Sequence, residues 1–139
     1  MSNETPTSDS IGVLVCGHGS RDEDAIREFH SVARGVRERL PHYDVESAFL
    51  EFARPVLSDG LDALRSRGNR LVLAVPGMLF AAGHVKNDVP SVLNTYEARH
   101  PGMEIRYGRE LAVDERLIRA SADRIREAIA GTSGEVAPH

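Results

Sequence analysis

Cysteine is all but missing from these 139 residues: Cys16 is the only one. An intrachain disulfide is therefore excluded, and a thiolate zinc centre lacks its ligands. Tryptophan is absent and aromatic residues make up 5%. No apolar run approaches the roughly 20 residues that span a bilayer, and no membrane contact is expected. Positive charge is not in excess either. Seventeen Lys and Arg against 21 Asp and Glu leave a formal net charge of -4, which argues against a general nucleic-acid binder with its basic surface. A local basic pocket for an anionic ligand is compatible with that balance. The opening MSNETPTSDS has neither a basic n-region nor an apolar h-region. Residues 1–10 read as a disordered tail and not a signal peptide, and the expected location is cytoplasmic.

What is present is an alternation of two hydrophobic patterns. Ile11 to Cys16 is a continuous β-branched run closed by Gly17, as expected for a strand buried on both faces. Ala25, Phe29, Val32, Ala33, Val36 and Leu40 then recur at helical spacing up to Pro41. Val45–Leu50 predicts a second strand. Pro55–Arg67 predicts a second helix, with Pro55 in its first turn and Gly68 as its C-cap. Arg70–Val75 predicts a third buried strand, and a helix follows from about Lys86 to His100 with Pro90 near its start. Met103–Tyr107 reads as an edge strand. Val113, Leu117, Ile118, Ala122, Ile125 and Ile129 define a last amphipathic helix. The order βαβαβαβα calls for one α/β domain over residues 11–130 with a parallel sheet and helices on both faces. Residues 131–139 read as a flexible tail.

In doubly wound sheets ligands bind beyond the carboxyl ends of the strands, where the strand order reverses. A flavodoxin-like four-stranded order 2-1-3-4 puts that switch point between the first and third strands. The loop after the first is GHGSRD, Gly17 to Asp22, and the loop after the third ends in AAGHVKND, Ala81 to Asp88. His18 and His84 are thereby delivered to one crevice. Glu51 follows the second strand, and His18, Glu51 and His84 stand 33 residues apart, one βα unit per step. Two imidazoles and a carboxylate suit a borderline divalent ion such as cobalt, iron, nickel or zinc. Arg21, Arg54, Lys86 and the Ser20 hydroxyl are candidate donors to an anionic ligand.

Plainer readings stand beside these. Glu51 serves equally well as a cap for the helix near Pro55, and GHGSRD as an anion-binding turn at a helix N-terminus. The turn lacks the Walker lysine and the spaced glycines of a dinucleotide fingerprint. His30, His42, His100 and His139 read as solvated surface residues.

The phrases LVCGHGSRD, FLEFARP and PGMLFAAGHVKNDVP, at this spacing, resemble the short-form sirohydrochlorin cobaltochelatases, a branch of the class II tetrapyrrole chelatases. The resemblance runs from about Ile11 to Ile129. It implies a flavodoxin-like half-chelatase that acts as a homodimer and inserts Co²⁺, or Fe²⁺ or Ni²⁺, into sirohydrochlorin without ATP. No cofactor beyond the substrate metal is expected. His18 and His84 match the family's metal-site histidines, and Glu51 its acidic residue. The pair Gly77-Met78 departs from the bulkier apolar residues expected there. A non-catalytic carrier of metal or tetrapyrrole would use the same residues.

Overall fold

In a computed structural model of the protein, residues 11–78 and 85–131 are described. Eight elements alternate along the chain: β1 (Ile11–Gly17), α1 (Glu23–Arg39), β2 (Asp44–Phe49), α2 (Leu57–Ser66), β3 (Leu71–Pro76), α3 (Val85–Arg99), β4 (Glu104–Tyr107) and α4 (Glu115–Gly131). The sheet is parallel throughout, in the order β2-β1-β3-β4. This is the doubly wound order expected from the sequence, with β1 and β3 adjacent at the reversal point. The terminal segments 1–10 and 132–139, read above as loose tails, lie outside the described residues.

The core has two layers, one on each side of the sheet. Leu14, Cys16, Ala48, Val72 and Ala74 pack against Leu57, Leu61 and Leu64 of α2 and Val89, Leu93 and Tyr96 of α3. On the opposite face Val13, Val15 and Val45 meet Phe29, Val36 and Leu40 of α1. β1 is thus covered on both sides, which is why its sequence is a continuous apolar run. Cys16 is fully buried in the first layer, and burial pushes its thiol up to about 12.

Helix ends follow local chemistry. Asp22 caps α1, its carboxylate accepting the Asp24 N–H at 2.9 Å. At the far end of α2, Gly68 sits at φ 92. Its N–H bonds Arg65 O at 3.0 Å and the Asn69 N–H bonds Leu64 O at 3.2 Å, a Schellman closure that favours glycine. Arg67 then binds Asp44 through two bonds of 2.8 Å and Glu46 at 2.7 Å. Asn69 adds a 2.6 Å bond to Asp44. This polar cluster ties the start of β2 to the end of α2.

Two expectations fail. Pro55 does not lie in the first turn of α2, because the helix starts at Leu57 after Val56 as N-cap. The Pro55 carbonyl instead accepts the Phe49 N–H at 2.8 Å, closing the loop that leaves β2. Nor is β3 buried on both faces. Val72 and Ala74 are buried against α2 and α3, whereas Leu71, Leu73 and Val75, on the α1 side, are only half-buried. α1 lies over β1 and β2; Val75 packs against the edge of that layer, and Leu71 and Leu73 stay partly exposed beyond it. The helix long enough to cover them, α4, buries none of its residues, and Ile118, Ile125 and Ile129 are exposed along one side of it.

Candidate metal centre

The carboxyl ends of β1 and β2 are fastened together past the last ladder pair. Leu50 N–H donates to Gly17 O at 2.8 Å, and Glu51 N–H donates to His18 O at 3.1 Å. These two bonds set the residues after each strand side by side. Gly19 makes the approach possible: at φ 102 it lies so close to the second loop that a Cβ there would stand 1.6 Å from Glu51 O. A glycine is required both for the conformation and for the space.

The result is a facing pair of side chains. His18 Nε2 lies 3.6 Å from Glu51 Oε1, with both side chains partly exposed. Nδ1 of the same ring is 3.3 Å from Gly19 O. In the tautomer whose Nδ1–H donates to that carbonyl, Nε2 presents its lone pair towards the carboxylate. A separation of 3.6 Å is longer than a good hydrogen bond. It is close to the spacing of about 3.4 Å that two ligands adopt when each lies about 2.1 Å from one ion at a tetrahedral angle. The geometry therefore suits a shared divalent cation. His84 lies outside the described residues; the next residue, Val85, opens α3.

The capping role considered for Glu51 is filled in part by Asp59, which accepts the N-cap Val56 N–H at 3.3 Å. The anion-binding turn loses its basis. The Asp22 carboxylate occupies the N-terminus of α1, and Glu23 and Asp24 fill its first turn, so an anion there would meet three negative charges. Ser20 Oγ accepts the Asp22 N–H at 3.0 Å and shapes the same turn. Arg21 lies with its guanidinium carbon 4.9 Å from the Phe52 ring centre. Arg54 is exposed and sits 3.8 Å from Asp59. Lys86 stands exposed in the first turn of α3. Of the predicted anion donors, Ser20 and Arg21 share a hollow of about 390 Å³ bordered also by Phe52, and Arg54 and Lys86 do not line it.

The other histidines divide. His42 is exposed as expected, and His139 lies outside the described residues. His30 is half-buried, 3.4 Å from Ser47 Oγ and edge-on to Phe49. His100 stacks on Tyr96 with centroids 4.0 Å apart, beside a larger hollow of about 470 Å³ between α2 and α3. There the polar groups serve one another. Tyr96 OH donates to Asp62 at 2.6 Å and His100 Nδ1 lies 2.9 Å from Tyr96 O; burial and Asp62 push the Tyr96 hydroxyl up to about 12.

The model of the CbiX family matches residues 12–128. The chain belongs to the CbiX family. Sirohydrochlorin ferrochelatase of Bacillus subtilis (strain 168) is 30% identical over 115 residues, covering 83% of this chain and 44% of that protein. Sirohydrochlorin cobaltochelatase of Sulfurisphaera tokodaii is 34% identical over 121 residues, covering 85% of this chain and 93% of that one. Among solved structures, the sirohydrochlorin chelatase SirB of Bacillus subtilis subspecies spizizenii in complex with cobalt superposes with a TM-score of 0.79 at 29% identity. That match covers 84% of this chain and 50% of the other. The chain thus spans about half the length of the two Bacillus proteins, and nearly all of the archaeal relative.

Against this background the Gly77-Met78 departure has a physical reason. A Cβ on Gly77 would stand 2.8 Å from the Phe29 ring and 3.1 Å from Val15. Met78 packs on the α2–α3 layer of the core. Both residues answer to packing beneath the loop. Phe52 was not singled out by sequence, because an exposed aromatic in a loop has no periodic signature.

Proposed function

We propose that this protein inserts a divalent metal ion, Co²⁺ with Fe²⁺ and Ni²⁺ as alternatives, into sirohydrochlorin, without ATP and with no cofactor beyond the metal it inserts. The observation that carries the reading is the His18 Nε2–Glu51 Oε1 pair, 3.6 Å apart, at the carboxyl edge of β1 and β2 and next to the reversal point. The names of the relatives support the choice of substrate. His84, from the loop preceding α3, supplies the third donor.

In this scheme His18 and Glu51 hold a partly dehydrated ion at the rim of the sheet. Neutral imidazole binds metal, while protonation releases it, so the site loads at neutral pH and passes the ion to a stronger chelating macrocycle. Insertion also sets loose two pyrrole protons. As the ion leaves them, Glu51 and His18, both partly exposed, accept these two protons and return them to water, a task for bases within hydrogen-bond reach. Arg21 and Ser20, which border one hollow beside Phe52, and Arg54 and Lys86 are the donors to the substrate's carboxylates.

The working unit is a homodimer in the cytoplasm. Two partly exposed apolar surfaces among the described residues support the pairing: Leu71 and Leu73 on the sheet, and the stripe Ile118, Ile125 and Ile129 on α4. They are complementary in kind, and in this reading α4 of a second copy packs on the row beside α1. A macrocycle also needs cover on both sides, since small-molecule sites bury most of their ligand. Among the described residues no helix is long and apolar enough to cross a membrane.

The test is an absorbance time course of sirohydrochlorin with each metal, with and without the protein, set beside His18→Ala. Acceleration over the spontaneous rate, lost in the variant, is expected. Tight binding without acceleration makes the protein a carrier and overturns the enzymatic reading.

A further inference from the structure

Phe52 is out of place by every ordinary criterion. It is a large apolar residue left 52% exposed, directly after Glu51. Its φ is 67, in the left-handed region that disfavours any bulky side chain and is normally given to glycine or asparagine. A core role would have buried the ring, as it buries Phe49. A turn role would have selected a residue suited to positive φ. Strained backbone of this kind clusters where a ligand is handled.

The surroundings say what ligand. The ring centre lies 6.3 Å from that of His18, so it stands beside the metal pair. The Arg21 guanidinium covers the ring at 4.9 Å. Ser20, Arg21, Glu23 and Arg27 line the same hollow. Arg27 is paired with Asp24, and Glu23 faces the hollow with a negative charge, whereas Arg21 is the cation that lies against the Phe52 ring.

We propose that Phe52 is the stacking platform for the flat face of the tetrapyrrole, and that Arg21 exchanges the ring for a carboxylate at the macrocycle's edge. A solvent-exposed cation–π contact is weak, so a conjugated ring displaces it readily. The guanidinium, released a few ångströms from the ring, meets a carboxylate in the bidentate manner that suits it. Glu23 repels the substrate's acids from the start of α1 and so favours their approach to Arg21. The inference rests on the chelatase reading and adds to it the residue that fixes the macrocycle over His18 and Glu51.

Phe52→Gly separates this role from a structural one, because glycine adopts positive φ without penalty. Uroporphyrin, a metal-free octacarboxylate, is the binding probe, followed by its absorbance and fluorescence. Phe52→Gly should bind it about tenfold more weakly, the loss of one stacking contact. It should melt no lower than the wild type and bind cobalt alone with wild-type affinity. Phe52→Tyr, which keeps a ring, should restore the probe affinity. Unchanged probe affinity in Phe52→Gly, or melting lowered as by a core truncation, overturns the platform while leaving the chelatase reading in place. Failure of the wild type to bind the probe is read without any variant, and it overturns both.

Discussion

Replacing Gly19 by alanine tests whether the His18–Glu51 spacing is what the site depends on. The new methyl would start 1.6 Å from Glu51 O, where an ordinary carbon–oxygen contact is about 3.3 Å. The two loops must therefore separate by roughly 1.7 Å, or Gly19 must abandon its φ of 102. Leaving a β-carbon at that φ costs about 1–2 kcal/mol. Losing the 3.1 Å bond from Glu51 N–H to His18 O costs about another 1 kcal/mol. Together these come to about 2–3 kcal/mol, or about 7–10 °C in melting temperature for a chain of this size. The functional cost is separate. Moving Glu51 from 3.6 Å to about 5 Å from His18 puts a common ion out of reach of one ligand, and metal affinity should fall by about tenfold or more. Cobalt titration by calorimetry, with a thermal melt on the same sample, reads both. If Gly19→Ala binds cobalt and melts like the wild type, the argument that this close approach builds the site is wrong.

Glu51→Gln keeps the size of the side chain but removes its charge and basicity. Metal insertion should slow by about 10²–10⁴-fold with little change in stability, measured as the rate at saturating metal. Arg67→Ala should lower stability by about 1–2 kcal/mol, read in urea, because it strips the bonds to Asp44 and Glu46. The same cluster predicts an acid limb. Arg67 holds the Asp44 carboxyl below the usual carboxylate range, so its contribution is complete above the unfolded value of about 3.9 and is lost as pH falls through the folded value; Asp44→Asn should flatten that limb. Ile125→Asp and Leu73→Asp should each convert a dimer into a monomer in sedimentation, and a dimer that survives both would refute helix exchange over β3.

Much of the fold was legible because the determinants are local. The run Ile11–Cys16 has no polar interruption, since α1 covers it on one side and α2 with α3 on the other. Gly68 could be read as a helix end because a Schellman closure needs it. His18 and Glu51 could be brought together on paper because a parallel sheet sends both strand ends to one edge. What sequence could not give was tertiary in origin. Pro55 looked like a helix start until its carbonyl was seen to be needed by Phe49. Leu71, Leu73 and Val75 looked buried because apolarity reports what a strand is built to be covered by, which need not lie in the same chain. His30 looked like a surface residue, but its partner Ser47 lies across the α1–sheet interface. Phe52 escaped because positive φ leaves no trace in composition.

The lone cysteine gives the chain a built-in clock. Cys16 lies near the carboxyl end of β1, in its last pair with β3, yet with 0% exposure, and a thiol raised to about 12 is almost wholly protonated at neutral pH, when only the thiolate reacts. Its sulfur is a poor ligand for soft metals and offers an oxidant no foothold while the fold is intact. β1 is an inner strand, paired with both β2 and β3, so uncovering Cys16 takes the loss of sheet pairing and not the fraying of an edge strand. A thiol reagent added to the native protein should therefore be consumed at the rate of global opening, one equivalent per chain.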